Sequence, residues 1–168
     1  PQEWAENLVR REKAGVPQDL AFATKPAIAL AQIERLMEQG APGHCVLADA
    51  GYGVDTAFRE RLSELNLPYV VGVTGSVTVW PPGHEPLPPE TYSGRGKVPT
   101  RQRPGDAKHQ RPLSVKELAF ELDPSQWHTL EWREGTNFTL RSRFARVRVH
   151  AAHRDHQRSQ LRPQEWLL

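Results

Sequence analysis

One cysteine in 168 residues leaves no disulfide framework, so a cytosolic location is the expectation. Cys45 lies within an apolar run and reads as a small buried hydrophobe, not a nucleophile. No segment is apolar for long enough to span a bilayer, and the first residues do not read as a signal peptide. There is no Walker lysine and no Gly-x-Ser-x-Gly elbow, which argues against a P-loop nucleotide site and a serine nucleophile of the α/β-hydrolase kind. Gly51-Tyr52-Gly53 has no third glycine at dinucleotide-binding spacing, and Asp49 stands where the pyrophosphate would approach. His150, His153 and His156 are evenly spaced but lack a cysteine or carboxylate set at zinc-site spacing. They read as solvated surface histidines.

What is present is unevenly distributed. A net charge of +2 conceals a strong asymmetry. Residues 1–80 carry seven Lys/Arg against ten Asp/Glu, whereas residues 139–162 carry seven arginines against one acid. Residues 81–113 are also basic, with six Lys/Arg against three acids. Positive blocks of this kind point to a polyanionic partner. The same 81–113 stretch holds eight of the fifteen prolines and four glycines, so a long, mobile, basic loop is expected there.

The length suits one domain, or a core with an insertion. Residues 3–13 predict a short polar helix. A second helix is expected from Pro26 to Gln39, capped by Thr24 and stopped by Gly40, with Leu30, Ile33 and Met37 on one face. The apolar run from Cys45 predicts a strand buried on both faces, ending at Asp49. Asp55 then caps a third helix bearing Phe58, Leu62 and Leu65, and Tyr69–Val73 is the next buried strand. Helix–strand–helix–strand with short connections indicates an α/β fold with parallel strands. Farther on, Ser76–Trp80 reads as an edge strand, and Ser114-Val115-Lys116-Glu117 as a capping box. Trp127–Trp132 and Phe138–Ala151 read as two strands joined by a hairpin at Gly135-Thr136-Asn137.

Two features carry chemistry. Asp49 sits at the carboxyl end of its strand, where open α/β sheets place ligands. It is either a cap for the following turn or a ligand for a hard cation such as Mg²⁺. Arg146, Arg148 and His150 alternate with Ala145, Val147, Val149 and Ala151, which gives one basic and one apolar face. Arg141 and Arg143 fall in the opposite phase, so either a bulge near Phe144 realigns them or they point elsewhere.

The order and spacing of several short motifs resemble those of a known family. Ala48-Asp49-Ala50-Gly51-Tyr52-Gly53, helix 55–65 and Leu67-Pro68-Tyr69-Val70-Val71-Gly72-Val73 resemble the middle of a bacterial insertion-sequence transposase of the DDE type. Trp4-Ala5, Ala14-Gly15-Val16-Pro17, Thr24-Lys25-Pro26, Trp132-Arg133-Glu134-Gly135-Thr136 and Ser142-Arg143-Phe144-Ala145 extend the likeness. The resemblance implies a partial RNase H-like core over residues 1–75 and a β-rich insertion over residues 76–168. It makes Asp49 the second of three catalytic carboxylates. It also implies Mg²⁺ (or Mn²⁺), DNA strand cleavage and transfer at transposon ends, and a parent protein that can be a homodimer. Arg141, Arg143, Arg146 and Arg148 become candidates for DNA-backbone contact. No other acid here fits the first or third catalytic position, so a central fragment, inactive alone, is expected. Two other readings stay open: a non-catalytic nucleic-acid-binding module and a decayed transposase remnant.

Overall fold

A computed structural model describes residues 2–105, 111–134, 136, 138–152 and 162–168. The chain forms two compact units, Pro1–Val73 and Thr74–Leu168.

In the first unit, residues 3–13 do not form one helix. Asn7 interrupts them, separating α1 (Gln2–Glu6) from α2 (Leu8–Lys13), because its side chain accepts the Arg10 N–H as an N-cap. Helix α3 (Lys25–Glu38) starts where Thr24 accepts the Ala27 N–H and ends before Gly40, whose φ is +80°. Strand β1 (Val46–Ala48) leads through Asp49 into a single turn of helix, α4 (Ala50–Gly53). Asp55 caps α5 (Thr56–Glu64), and β2 (Tyr69–Val71) runs parallel to β1. Phe58 and Leu62 are almost completely buried, with Leu30, Ile33, Met37, Val46 and Val71 packed around them. Burying each such side chain contributes roughly 1.5–3 kcal/mol. Arg61 bridges Glu34 on α3 and Glu64 on its own helix, which ties the two long helices together.

Two expectations for this unit need correction. Cys45 is exposed and lies just before β1, not within it. The parallel pair is also covered on one face only. Val46, Ala48, Tyr69 and Val71 face the core, while Leu47 and Val70 are 75% and 60% exposed. Both faces of these strands are apolar in sequence, and this unit covers one of them with α3 and α5.

The described residues of the second unit form two antiparallel sheets. In the larger, the order is β4 (Leu113–Ser114), β3 (Thr78–Trp80), β7 (Val147–Ala151), β8 (Gln164–Leu167). Strand β3 is therefore internal and not an edge, because β7 pairs with its second side from about 70 residues later in the chain. The Ser114–Glu117 capping box opens α6 (Val115–Glu121), which sets Leu118 against Val79, Leu113, Val147 and Val149. The smaller sheet is the hairpin of β5 (His128–Glu134) and β6 (Thr139–Phe144). Of its expected turn, Gly135 and Asn137 lie outside the described residues. Phe138–Ala151 is not one strand. It breaks at Ala145-Arg146, and its two halves join different sheets. The 81–113 stretch is irregular as far as Gly105. It is nevertheless anchored by paired backbone hydrogen bonds between Leu87 and Arg103 and by the fully buried Pro86.

The Ser114 backbone N–H, and secondarily its hydroxyl, hold the Glu117 carboxyl below its ordinary value near 4.5. A carboxylate lowered in the folded state stabilises fully above the unfolded value and loses that contribution as pH falls through the folded one. Glu117→Ala should therefore lower the urea midpoint clearly at pH 7 and much less at pH 3. Equal losses at both values would show that the carboxylate charge is not involved.

Candidate functional site

The end of β1 is built from backbone. The Tyr52 and Gly53 N–H groups donate to the Asp49 carbonyl at 3.1 and 3.0 Å, and the Gly51 N–H donates to Asp49 Oδ1 at 2.8 Å. Asp49 is thus the N-cap of α4, and its side chain is exposed at the carboxyl end of a parallel strand. Gly51 is the one hydrogen-bond partner of that carboxylate among the described residues, which leaves Oδ2 open.

Two glycines fix where this turn sits. A Cβ on Gly53 would lie 1.8 Å from the Gly72 carbonyl oxygen, and one on Gly72 would lie 2.9 Å from the Ala50 nitrogen. The obstructing atoms are backbone, so neither position accommodates a side chain. Gly72, just after β2, also donates its N–H to the Ala48 carbonyl at 2.9 Å. At the far end of the turn, the buried Arg59 guanidinium donates to the Gly53 carbonyl. A cation at a helix C-terminus is electrostatically favourable.

The four arginines singled out in the sequence have different surroundings. Arg141 on β6 stands opposite Glu131 on β5. Arg143 lies over the Trp127 ring, 5.8 Å from its centroid. Arg146 and Arg148 both lie over the ring of Trp166, at 4.6 and 4.9 Å. The alternation expected around β7 holds, with Val147, Val149 and Ala151 buried and Arg148 exposed. No bulge realigns Arg141 and Arg143, because β6 and β7 are separate strands in separate sheets. His150 is half-buried, not solvated, and its Nδ1 donates to the Arg162 carbonyl at 2.7 Å. His153 and His156 lie outside the described residues.

Residues 1–139 match the model of the DDE superfamily endonucleases. The chain belongs to that family. DDE superfamily endonucleases have an RNase H-like fold, which accords with the mixed helices and strands found here. They act on DNA and generally use divalent metal ions. No curated protein and no solved structure matches the chain. The family match covers Asp49 and both glycines of the backbone contact but stops short of Arg141 and the arginines that follow. Among the described residues, no helix is long and apolar enough to cross a membrane.

The sequence alone assigns no site role to Gly72, Arg59, Trp127 or Trp166. Arg59 carried a usable signal, since it follows the buried Phe58 and precedes Leu62 by three and so sits beside the buried face of α5. Trp166 carried none, because its partners lie across residues 153–161.

These contacts generate two expectations. Gly53→Ala should destabilise the protein by roughly 3 kcal/mol through overpacking, whereas Gly75→Ala, whose added Cβ meets only Lys116 Cβ at 3.5 Å, should be nearly neutral in chemical denaturation. Asp49→Asn should preserve stability, because asparagine caps as well as aspartate, while Asp49→Ala should cost about 1 kcal/mol.

Proposed function

We propose that this chain is the central part of an insertion-sequence transposase that cleaves and rejoins DNA at transposon ends with Mg²⁺. In this reading Asp49 is one of the metal-binding carboxylates, and the unit from Thr74 onward is the β-rich insertion. The observation that carries the reading is the exposed carboxylate of Asp49 at the carboxyl end of a parallel strand, in a chain of DDE family membership. Mg²⁺ prefers hard carboxylate oxygens and usually takes only one or two from the protein. Asp49 suits this role because Oδ1 is steadied by Gly51 while Oδ2 is open.

When bound, divalent ions supply activation of a water or 3′-hydroxyl and stabilisation of the leaving oxygen. The residues of this chain supply position. The Gly53–Gly72 contact and the Arg59 hydrogen bond hold the turn on which Asp49 is mounted. Arg141, Arg143, Arg146 and Arg148 offer charge for the DNA backbone. Asp49 is the one acid of this chain to which the resemblance gives a catalytic place, so binding without cleavage is the expected behaviour of the isolated chain.

A second reading draws on the Gly51 hydrogen bond alone: Asp49 is only a cap, and the arginine face binds nucleic acid without catalysis. Manganese titration followed by NMR separates the two. Paramagnetic broadening of the Gly51–Val54 amide signals, lost in Asp49→Asn, is expected from a metal ligand; its absence in the wild type favours the cap. Plasmid nicking by the 168-residue chain with Mg²⁺ should remain at background. Nicking that Asp49→Ala abolishes would overturn the expected inactivity.

A further inference from the structure

Trp166 is 57% exposed on β8, directly opposite Arg148 in the β7–β8 register. Arg146 immediately precedes β7 and is exposed like Arg148, and both guanidiniums lie over the one indole. Two like charges on flexible side chains separate in water unless something holds them together. Here the ring attracts each cation through its quadrupole. Arg148 is fixed further by its Nε–H, which donates to Gln164 Oε1 at 3.4 Å. Neither arginine has an acidic partner among the described residues.

Among the described residues, the result is a pair of ordered cations with no acidic counter-charge. Both guanidinium carbons lie within 5 Å of one centroid, so they are within about 10 Å of each other. Charges along one DNA strand recur every ~3.4 Å of helix axis, so that span covers neighbouring phosphates. Guanidinium forks suit phosphate oxygens, and the ring that a nucleobase would need for stacking already carries two cations. Arg141 is less suited, since Glu131 stands across from it. We propose that Arg146 and Arg148, aligned by Trp166, form a clamp for neighbouring phosphates of one nucleic-acid strand. This rests on the DNA-binding reading above and names the part of the arginine set that carries it. Trp166 is a positioning residue; the arginines make the contact.

The test is fluorescence anisotropy of the full chain with two labelled probes over a range of salt: a single-stranded 12-mer, and the same backbone built from abasic nucleotides. The wild type should bind both with similar affinity. Arg146→Gln with Arg148→Gln should weaken both by on the order of tenfold and reduce the slope of log affinity against log salt by roughly 1.4. Trp166→Leu should weaken both severalfold and lower the slope, while Trp166→Phe, which keeps an aromatic face, should recover most of the loss. Unchanged melting temperatures in the arginine variants exclude unfolding as the cause. Three results would overturn the clamp. The double arginine variant could bind as the wild type does, with Arg141 and Arg143 carrying the affinity, which leaves the DNA reading intact. Trp166→Leu could affect the base-bearing probe alone, which makes the indole a base-stacking site. The wild type could bind neither probe, which removes the DNA-contact reading of these arginines together with the clamp.

Discussion

The first unit depends on a contact between two peptide backbones. Gly53 and Gly72 approach so closely that a single methyl group has no room. That closeness lets a one-turn helix pack against the end of a parallel strand pair. A helix of four residues cannot sustain itself, so its geometry comes from its attachments. Asp49 grips its N-terminal amides, Arg59 takes its last carbonyl, and Gly72 supports it from below. The carboxylate of Asp49 is consequently presented by a rigid platform, although its own side chain is exposed.

The second unit solves a different problem. Its four-stranded sheet needs one apolar face for α6, which Val79, Leu113, Val147 and Val149 provide. Strand alternation then sends Arg148, His150 and Trp166 to the opposite face. The basic face is thus a geometric companion of the core. The aromatic residue adds order to it: without Trp166, Arg146 and Arg148 would be two independent surface cations, whereas with it they share one location. In the β5–β6 hairpin, Arg141 instead faces Glu131 and Arg143 lies over Trp127.

Much of this was legible in the sequence wherever the deciding interaction was local. Thr24, Asp55 and the Ser114–Glu117 pair cap helices through bonds spanning three residues, and side-chain type and spacing reveal such bonds. The parallel pairing of β1 and β2 followed from the helix between them. Asp49 in sequence allows two readings, and its geometry is compatible with both, because a cap uses one oxygen and leaves the other open. What escaped was set by distant partners. The interior position of β3 requires β7, and the meaning of Trp166 requires a strand on the far side of residues 153–161. Asn7 broke a helix that its neighbours favour because its side chain competes for a backbone amide.

Leu47 and Val70 lie side by side on the outer face of the parallel pair, and both are largely in contact with water. Bare apolar strands whose outer edges lack a neighbour among the described residues are a template for self-association. The practical consequence is colloidal. As concentration rises, this chain should lose monodispersity before it loses its fold, and replacing Leu47 or Val70 with a charged residue is the change most directly aimed at keeping it in solution.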